Sequence, residues 1–471
     1  MNPPQSSPQV LLHIFPPTWK SFHQAMLNSR QQREEVIGFL FCKRYQLSKK
    51  IIRYVPQAWV VPTPECYEQQ SEGGLVLRQQ FHQYILDTYL QDSQLDVVHI
   101  HTHFGNDEPQ FSDIDDRHEA EYARFLSSCY KRKPRLISGV FDESLQKSQF
   151  RLWDRQGIHH QAIEFHTSWF APKNNLVLPE TTDSMFERQK VFGDLVQQQL
   201  GQLKVALIGC GGIGSVFAEQ LARLGVKNWI LVDPDRLETV NLNRMPGATQ
   251  KMVDQWWYKV NYVKWLIKRT YATGSHVRAL PTSIEDPETQ KVIVDADLII
   301  VATDNHLSRK VAQELALKFA CPLMCLGTHV EVKPDTKPNL YCRVTVPPVG
   351  GNWCLMCGNI IDLQQAALES APSAIAEIAE EAGYIPGIDA PAVYWLNSIC
   401  ASTGVGIIHG MLSGFIELDD GLDWVYDFTN SSWLRTDTKH LNTDDCYFCS
   451  PDTFNLVESE IAFSASQFIV S

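Results

Sequence analysis

Apolar and polar residues change their period at several points along the chain, and those changes mark out its elements. Residues 36–41 (VIGFLF) form a short apolar run of strand length. Between 75 and 90, Leu77, Phe81, Tyr84 and Thr88 recur at helical spacing and predict a helix. LDVVHIHTHF (95–104) predicts a strand, 115–130 a helix, and 136–141 and 148–153 two more strands. This stretch reads as an α/β sheet of modest size. From 166 to 182 no period is sustained, and Pro, Asn, Thr and Asp accumulate as they do in linkers. Beyond it the order is strand (LKVALIG), helix (IGSVFAEQLARLG), strand (NWILVD), helix (YKVNYVKWLIKRTYA) and strand (DLIIVATD). Strands alternating with helices predict a parallel, doubly wound sheet. Residues 362–383 add an acidic helical pattern. The expected organisation is therefore α/β throughout, with domains at 1–165 and 183–471 joined by a linker at 166–182.

At 471 residues the chain exceeds what one core can serve, which agrees with more than one domain. Apolar content of 44% and charged content of 20% are ordinary for a globular protein. No apolar run approaches the roughly 18 residues that span a bilayer. The first residues, MNPPQSSPQVLLHIFPP, lack the basic and apolar regions of a secretory signal. The expectation is a cytoplasmic protein with no membrane partner. A net charge of −13 argues against nucleic acid as the main partner, because phosphate contacts need Lys and Arg. The twelve cysteines then read as metal ligands, catalytic groups or core residues rather than disulfides.

The segment HTHFGNDEPQFSDID holds His101, His103, Ser112 and Asp115. His101 and His103 alternate along a predicted strand and share a face, and Asp115 opens the next helix, from which it can close on that face. Two imidazoles, a carboxylate and a water make a zinc site with an open position. Zinc lowers the pKa of that water to about 7, and a nearby carboxylate can take its proton. Glu35, at the start of the first apolar strand, is the candidate base. His99 lies on the same face, but the distance to Ser112 and Asp115 favours the 101/103 pair and leaves His99 buried or supporting. The ordered set Glu35, His101-Thr102-His103 and Ser112-x-x-Asp115 resembles the signature of the JAMM (MPN or JAB) metalloproteases, over about residues 10–155. The resemblance implies cleavage of peptide or isopeptide bonds after the C-terminus of ubiquitin-like proteins, with Ser112 helping to stabilise the tetrahedral oxyanion. Phe104 stands where the family has Pro, and the spacing to Ser112 is one residue longer than in many members. A non-catalytic member of the family is the competing reading.

In the second region GCGGIGS places Gly209, Gly211, Gly212 and Gly214 between a strand and a helix, where the backbone can approach a phosphate at the helix N-terminus. Asp233 ends the next strand, where an acid takes ribose hydroxyls. Thus far a nicotinamide-dependent dehydrogenase fits equally well. VDPDRLETVNLNR then sets Asp233, Asp235, Asn241 and Arg244 in one loop, Lys259 follows on a helix, and VATDN puts Asp304 at the C-terminal end of a strand. Such a set suits ATP with magnesium: Arg244 and Lys259 for charge on the α-phosphate, Asp304 for the metal. These motifs, with FERQKVFG upstream, resemble the ThiF/MoeB family, which includes the adenylation domains of ubiquitin-activating enzymes, over about residues 183–455. The resemblance implies a Rossmann-like domain and a homodimer in which Arg188 reaches into the neighbouring subunit's nucleotide site. It also implies ATP-dependent adenylation of the glycine-ended C-terminus of a ubiquitin-like or sulfur-carrier protein.

Cys354-x-x-Cys357 and Cys446-x-x-Cys449 supply four thiolates for a closed, structural zinc site, and ThiF-like proteins carry the same two pairs. Cys400, in LNSICASTGVGIIHG, resembles the cysteine region of that family and is the candidate to take the activated carboxyl as a thioester. A catalytic cysteine needs a lowered pKa and solvent access, and the apolar neighbours of Cys400 suit a buried thiol equally. The joint expectation is a bifunctional enzyme that processes and activates one ubiquitin-like partner. Fusions of this kind occur in bacterial conjugation systems, some of them tied to antiviral defence, and a separate conjugating enzyme is an open possibility. Two other readings stand: sulfur-carrier activation for biosynthesis, and one half serving only as a binding module.

Overall fold

A computed structural model of the chain describes residues 9–170, 184–370, 392–449 and 457–458, save 31–32, 49–50, 92–93, 106–107, 271–273, 333–337, 350–352, 419, 439–440 and 442–445. Residues 171–182 of the expected linker and 371–383 of the acidic segment lie outside that set. Contacts divide the chain into two compact units, residues 1–168 with 455–471, and residues 169–454.

The first unit contains β1 (Gln9–His13), β2 (Ile37–Ser48), β3 (Ile51–Val60), β4 (Tyr67–Ser71), β5 (Gly74–Leu77), β6 (Asp96–Thr102), β7 (Leu136–Phe141), β8 (Ser148–Trp153), β9 (His159–Ala162) and β10 (Glu164–His166). Its helices are α1 (Pro16–Asn28), α2 (Gln79–Leu90) and α3 (Asp113–Cys129). The main sheet runs β10-β1-β3-β2-β6-β7-β8-β9. Every residue of β6 is buried, because apolar clusters cover both faces. Val98 and Ile100 pack with Phe22 on one side, and Val97 packs with Phe81 and Leu126 on the other. A strand buried on both faces reads as a continuous apolar run, and the histidines of this one are placed by alternation rather than by polarity. The helix expected at 75–90 begins later, because Leu77 belongs to β5. Its buried side is Phe81, Ile85, Leu86 and Leu90, and Tyr84 is exposed.

The second unit contains α4 (Asp194–Gln202), β11 (Lys204–Ile208), α5 (Gly212–Leu224), β12 (Asn228–Val232), α6 (Gln250–Asp254), α7 (Lys259–Thr270), β13 (His276–Leu280), α8 (Pro287–Ile293), β14 (Leu298–Val301) and α9 (His306–Phe319). It continues with β15 (Leu323–Glu331), β16 (Asn339–Val346), α10 (Leu363–Glu369), α11 (Tyr394–Ser413), β17 (Leu422–Asp427) and β18 (Ser432–Arg435). The sheet order is β13-β12-β11-β14-β15-β16-β17-β18. The first five strands are parallel and the last three antiparallel. Helices α5, α7 and α11 cover one face and α8 and α9 the other, giving two apolar cores. Near the end of the chain β19 (Val457–Glu458) pairs parallel with β3 at Ala58 and Trp59, and so belongs to the first unit. Among the described residues no helix is long and apolar enough to cross a membrane.

Candidate active sites

In the first unit Ile37 pairs with His101, so Glu35, two residues upstream, projects from the same sheet face. The β4 hairpin fixes its backbone: the Glu35 amide donates to Ser71 at 2.8 Å and its carbonyl accepts from Gln70 at 3.0 Å. The Glu35 side chain is largely buried, and burial pushes its pKa up to about 7, with His101 opposing and Asp115 adding to the rise.

Asp115 stands in the first turn of α3, whose N-cap is Ser112. The Asp115 amide donates to Ser112 Oγ at 3.2 Å, and the Ser112 amide and hydroxyl donate to Asp115 Oδ2 at 2.6 and 2.7 Å. This reciprocal cap is what turns the carboxylate toward the histidines. His101 Nε2 lies 3.4 Å from Asp115 Oδ1, and His103 Nε2 lies 3.5 Å from Asp115 Oδ2. These separations exceed a good hydrogen bond. They match the roughly 3.4 Å between neighbouring ligands on a tetrahedral zinc whose bonds are about 2.0–2.1 Å. His101 Nε2 is buried and has no hydrogen-bond partner, while His103 donates from Nδ1 to the Gln110 carbonyl at 3.0 Å, which leaves Nε2 as the lone-pair nitrogen. The donor set fits zinc. Burial works against the charge of Asp115, but neighbouring His101 and the Ser112 donors hold its carboxyl well below the usual range. Ser112, expected at the oxyanion, here directs its hydroxyl proton to Asp115 instead.

His99 is the buried supporting residue: its Nε2 meets Glu119 Oε1 at 3.1 Å and Ser138 Oγ at 3.0 Å. His99, His101 and Glu119 also form a ligand-type group, but Glu119 Oε2 already accepts from Arg151 at 2.9 and 2.6 Å and from Trp153 at 3.2 Å.

In the second unit the neighbouring strands β11 and β14 send their chains to opposite sides of the sheet. Their C-terminal ends open onto a cleft of about 640 Å³, the place where such sheets bind ligands. Gly209 has φ +93°, and a Cβ there would meet the Ala302 carbonyl oxygen at 2.6 Å. A Cβ on Gly214 would lie 2.0 Å from the Gly209 oxygen. Only glycines let the turn fold this tightly over the start of α5, whose free amides then border the cleft.

Asp233 accepts from the amides of Cys210 at 2.7 Å and Asp235 at 2.9 Å, pinning the glycine turn to the next loop. Burial raises its pKa and Lys259 opposes the rise. Lys259 Nζ is 2.7 Å from Asp235 Oδ2; against burial, Asp233 and Asp235 keep the ammonium above its ordinary value. Arg244, Lys259 and Asp304 all line the cleft. Asn241 does not. It is buried, accepts from the Glu238 amide at 3.1 Å through its side chain and from the Arg244 amide at 3.1 Å through its carbonyl, and so shapes the turn that presents Arg244.

Among the lining residues that sequence reasoning missed are Arg309, Glu369, Thr328 and Asn397. Arg309 donates to the Thr303 carbonyl at 2.9 Å, Glu369 accepts from the Leu307 amide at 2.7 Å, and Thr328 donates to Asn397 at 3.1 Å. Arg309 was within reach, because it follows Asp304 by little more than one helical turn. Asn397 and Thr328 carried no signal, being brought in by elements far along the chain. Arg188 is exposed in the short 3-10 segment Ser184–Phe192 and does not line this cleft.

The four cysteines converge, with Sγ separations of 3.8 Å (Cys354–Cys357), 3.6 Å (Cys354–Cys446) and 3.4 Å (Cys357–Cys449). Zinc–sulfur bonds of about 2.3 Å require roughly 3.8 Å between sulfurs, so this set also fits zinc. Cys400 is a correction. It is 0% exposed, its Sγ faces the carbonyls of Gly327 and Arg343 at 3.5 Å, and its hydrogen bond with Cys342 and its burial hold the thiol well above its ordinary pKa. A nucleophilic cysteine needs the opposite environment.

Comparison with known proteins matches residues 186–393 to the ThiF family. The chain is 28% identical over 184 residues to the sulfur carrier protein ThiS adenylyltransferase of Bacillus subtilis, a match covering 37% of this chain and 54% of that protein. It is 31% identical over 192 residues to human ubiquitin-like modifier-activating enzyme 6, covering 38% and 18%. It thus spans about half the length of the first relative and less of the second. Among solved structures, E. coli MccB aligns with a TM-score of 0.46 at 18% identity, over 61% of this chain and 77% of that one. The stretch that matches the ThiF family, residues 186–393, contains the glycine turn that opens onto the cleft.

Proposed function

We propose that the chain activates a ubiquitin-like or sulfur-carrier protein in its second unit and cleaves after the C-terminus of the same class of protein in its first. The observation that carries the activating half is the cleft at the strand-order switch, where Arg244, Lys259 and Asp304 surround the glycine turn. ATP lies with its phosphates against the start of α5. The C-terminal carboxylate of the carrier attacks the α-phosphorus, an acyl adenylate forms, and pyrophosphate leaves. Arg244 and Lys259 neutralise the charge that develops there, Asp304 would hold magnesium, and Asp233 keeps the turn in place. Arg188 completes the site from a second subunit of a homodimer. The names of the relatives, a sulfur-carrier adenylyltransferase and a ubiquitin-like modifier-activating enzyme, support this substrate class.

In the first unit His101, His103 and Asp115 would hold zinc, and Cys354, Cys357, Cys446 and Cys449 would hold a second, structural one in the other unit. The first zinc, when bound, supplies a Lewis acid and a water of lowered pKa. Glu35, on the same sheet face as His101, would be the base for that water and the acid for the leaving amine.

Pyrophosphate release with glycine-ended carrier proteins tests the activating half. Release should depend on the carrier and fall at least 100-fold in Arg244→Ala and in Asp304→Ala. Carrier-independent or absent release removes the reading. For the cleaving half, metal analysis should find two zincs per chain, and Glu35→Gln should abolish cleavage of a carrier fusion while keeping both. Sulfur transfer is the second reading, favoured by the Bacillus relative. A requirement for a sulfide or persulfide donor would select it, and lysine-linked conjugates would select the first.

A further inference from the structure

We infer that Arg151, on β8, is a positioning residue for the proposed zinc site of the first unit: it touches none of the ligands and sets the helix turn that carries one of them. The inference rests on the zinc reading above. The Arg151 side chain is 9% exposed. Its Nη1 meets Asp116 Oδ1 at 2.5 Å, while Nε and Nη2 both meet Glu119 Oε2, at 2.9 and 2.6 Å. Its guanidinium carbon lies 3.7 Å from the centre of the Phe111 ring. Phe111 precedes the N-cap Ser112, and Asp116 follows Asp115 directly, so one side chain grips the chain on both sides of the ligand.

The far end of the same network reaches the histidine strand. Glu119 Oε1 meets His99, which shares its strand face with His101, and the two rings stand 5.9 Å apart. Phe111 in turn sits 6.2 Å from His101. Arg151 and Glu119 therefore tie α3 to β8 and to β6 together. The distance from Asp115 to His101 and His103 depends on that tie, because Asp115 makes no close hydrogen bond to either ring.

A purely structural role explains this poorly. Burying the guanidinium with the Glu119 carboxylate costs desolvation that an apolar contact between β8 and α3 would avoid, and such apolar replacements are often neutral or stabilising. An apolar contact would also let α3 slide and rotate. The forked, planar guanidinium, fixed to two carboxylates and stacked on a ring, allows one register. Ligand sites are sensitive to register, and loss of supporting contacts lowers metal affinity by about 10–100-fold.

The test measures zinc affinity in the full chain by competition with a chromophoric chelator, with circular dichroism and thermal unfolding of the metal-free protein as controls. The wild type should bind two zincs. Arg151→Met should weaken one of them by about ten-fold or more and leave the other unchanged, and Arg151→Lys should recover only part of the loss, because an ammonium cannot span both carboxylates. Asp116→Asn, at a half-exposed side chain, should weaken the same zinc less than Arg151→Met while leaving the fold intact. If Arg151→Met does not fold, Arg151→Lys and Asp116→Asn decide the matter. Wild-type affinity at both zincs in folded variants overturns the inference, whereas a wild type that binds a single zinc overturns the reading beneath it.

Discussion

A carboxylate that stands beside two imidazoles without becoming their hydrogen-bond partner must be held by something else, and Ser112 does this for Asp115 through three contacts. The same logic separates Asp233 from Asp304: the first is spent on backbone amides and the second is exposed at the cleft. His13 shows how strongly burial acts at single sites. It is enclosed, with its Nε2 2.7 Å from the Ser168 carbonyl oxygen, and burial, then the charge of Arg53, lower its pKa from 6.5 to about 3. Above pH 6.5 the imidazole is neutral in both folded and unfolded chains. As the pH falls below 6.5 the unfolded chain takes a proton that the folded one refuses until about 3. The first unit should therefore lose about 1.4 kcal/mol per pH unit from this group between those limits. His13→Gln should lose about 1 kcal/mol at pH 7 if the hydrogen bond is impaired, yet show a shallower decline toward pH 4; urea unfolding across pH checks both. At Cys400 the expectation is inertness: iodoacetamide should modify exposed Cys129 in the native protein and leave Cys400 untouched until it unfolds. These assignments show where sequence stops. His101, His103 and Asp115 were legible because alternation along one strand and the first turn of the next helix place them together, whereas Glu35, distant in sequence, was reached through the ordered set that resembles the metalloprotease signature. The partners of Cys400, Asn397 and Glu119 were not, because each contact joins residues distant in sequence.

Elements were legible where period and chemistry agreed. The strand, glycine turn and helix at β11 and α5 could be read directly, as could β12, α7 and β14, because a parallel strand alternating with a helix leaves two distinct patterns. Helix α11 could not be read that way, since apolar residues surround it on all sides and leave no face to detect. Strand β3 was missed because it is buried along most of its length and contains Pro56 and Gln57. The glycine turn gives an element-scale prediction with its own control. Gly214→Ala would place a Cβ 2.0 Å from the Gly209 oxygen, so the turn must open; the cost should reach about 1–3 kcal/mol and ATP binding should be lost. At Gly211 nothing lies within 4 Å of the added methyl, and its φ of −83° is outside the positive range that favours glycine. Gly211→Ala should keep the melting temperature and weaken ATP, because the methyl intrudes where a phosphate must approach. Calorimetry with thermal melts separates the two cases, and equal binding by Gly211→Ala and wild type would count against a phosphate at that amide.

At the scale of the whole chain, the two units have separate cores, and each carries a zinc-type ligand set among its described residues, His101, His103 and Asp115 in the first and the four cysteines in the second. The cysteine set joins positions 354 and 446, whose separation of 92 residues means that a metal there closes a long loop in the second unit. Loop closure of that length restrains the unfolded chain strongly, and binding energy at a structural zinc becomes folding energy. A metal on the histidine set would close a much shorter segment, between His101 and Asp115, and with a position left open it would contribute less to stability. Two metal variants should therefore part company. Cys446→Ser should reduce zinc from two per chain to one and lower the unfolding transition of the second unit by several degrees. His101→Ala should also reduce zinc to one and leave that transition in place. ATP identifies the transition, since a ligand of the folded second unit raises its melting temperature by mass action. The ATP-sensitive transition should move in Cys446→Ser alone, and cleavage of a carrier fusion should fail in His101→Ala alone. If His101→Ala shifts the ATP-sensitive transition as far as Cys446→Ser does, the units do not fold separately, and the two chemistries must then be treated as one cooperative structure.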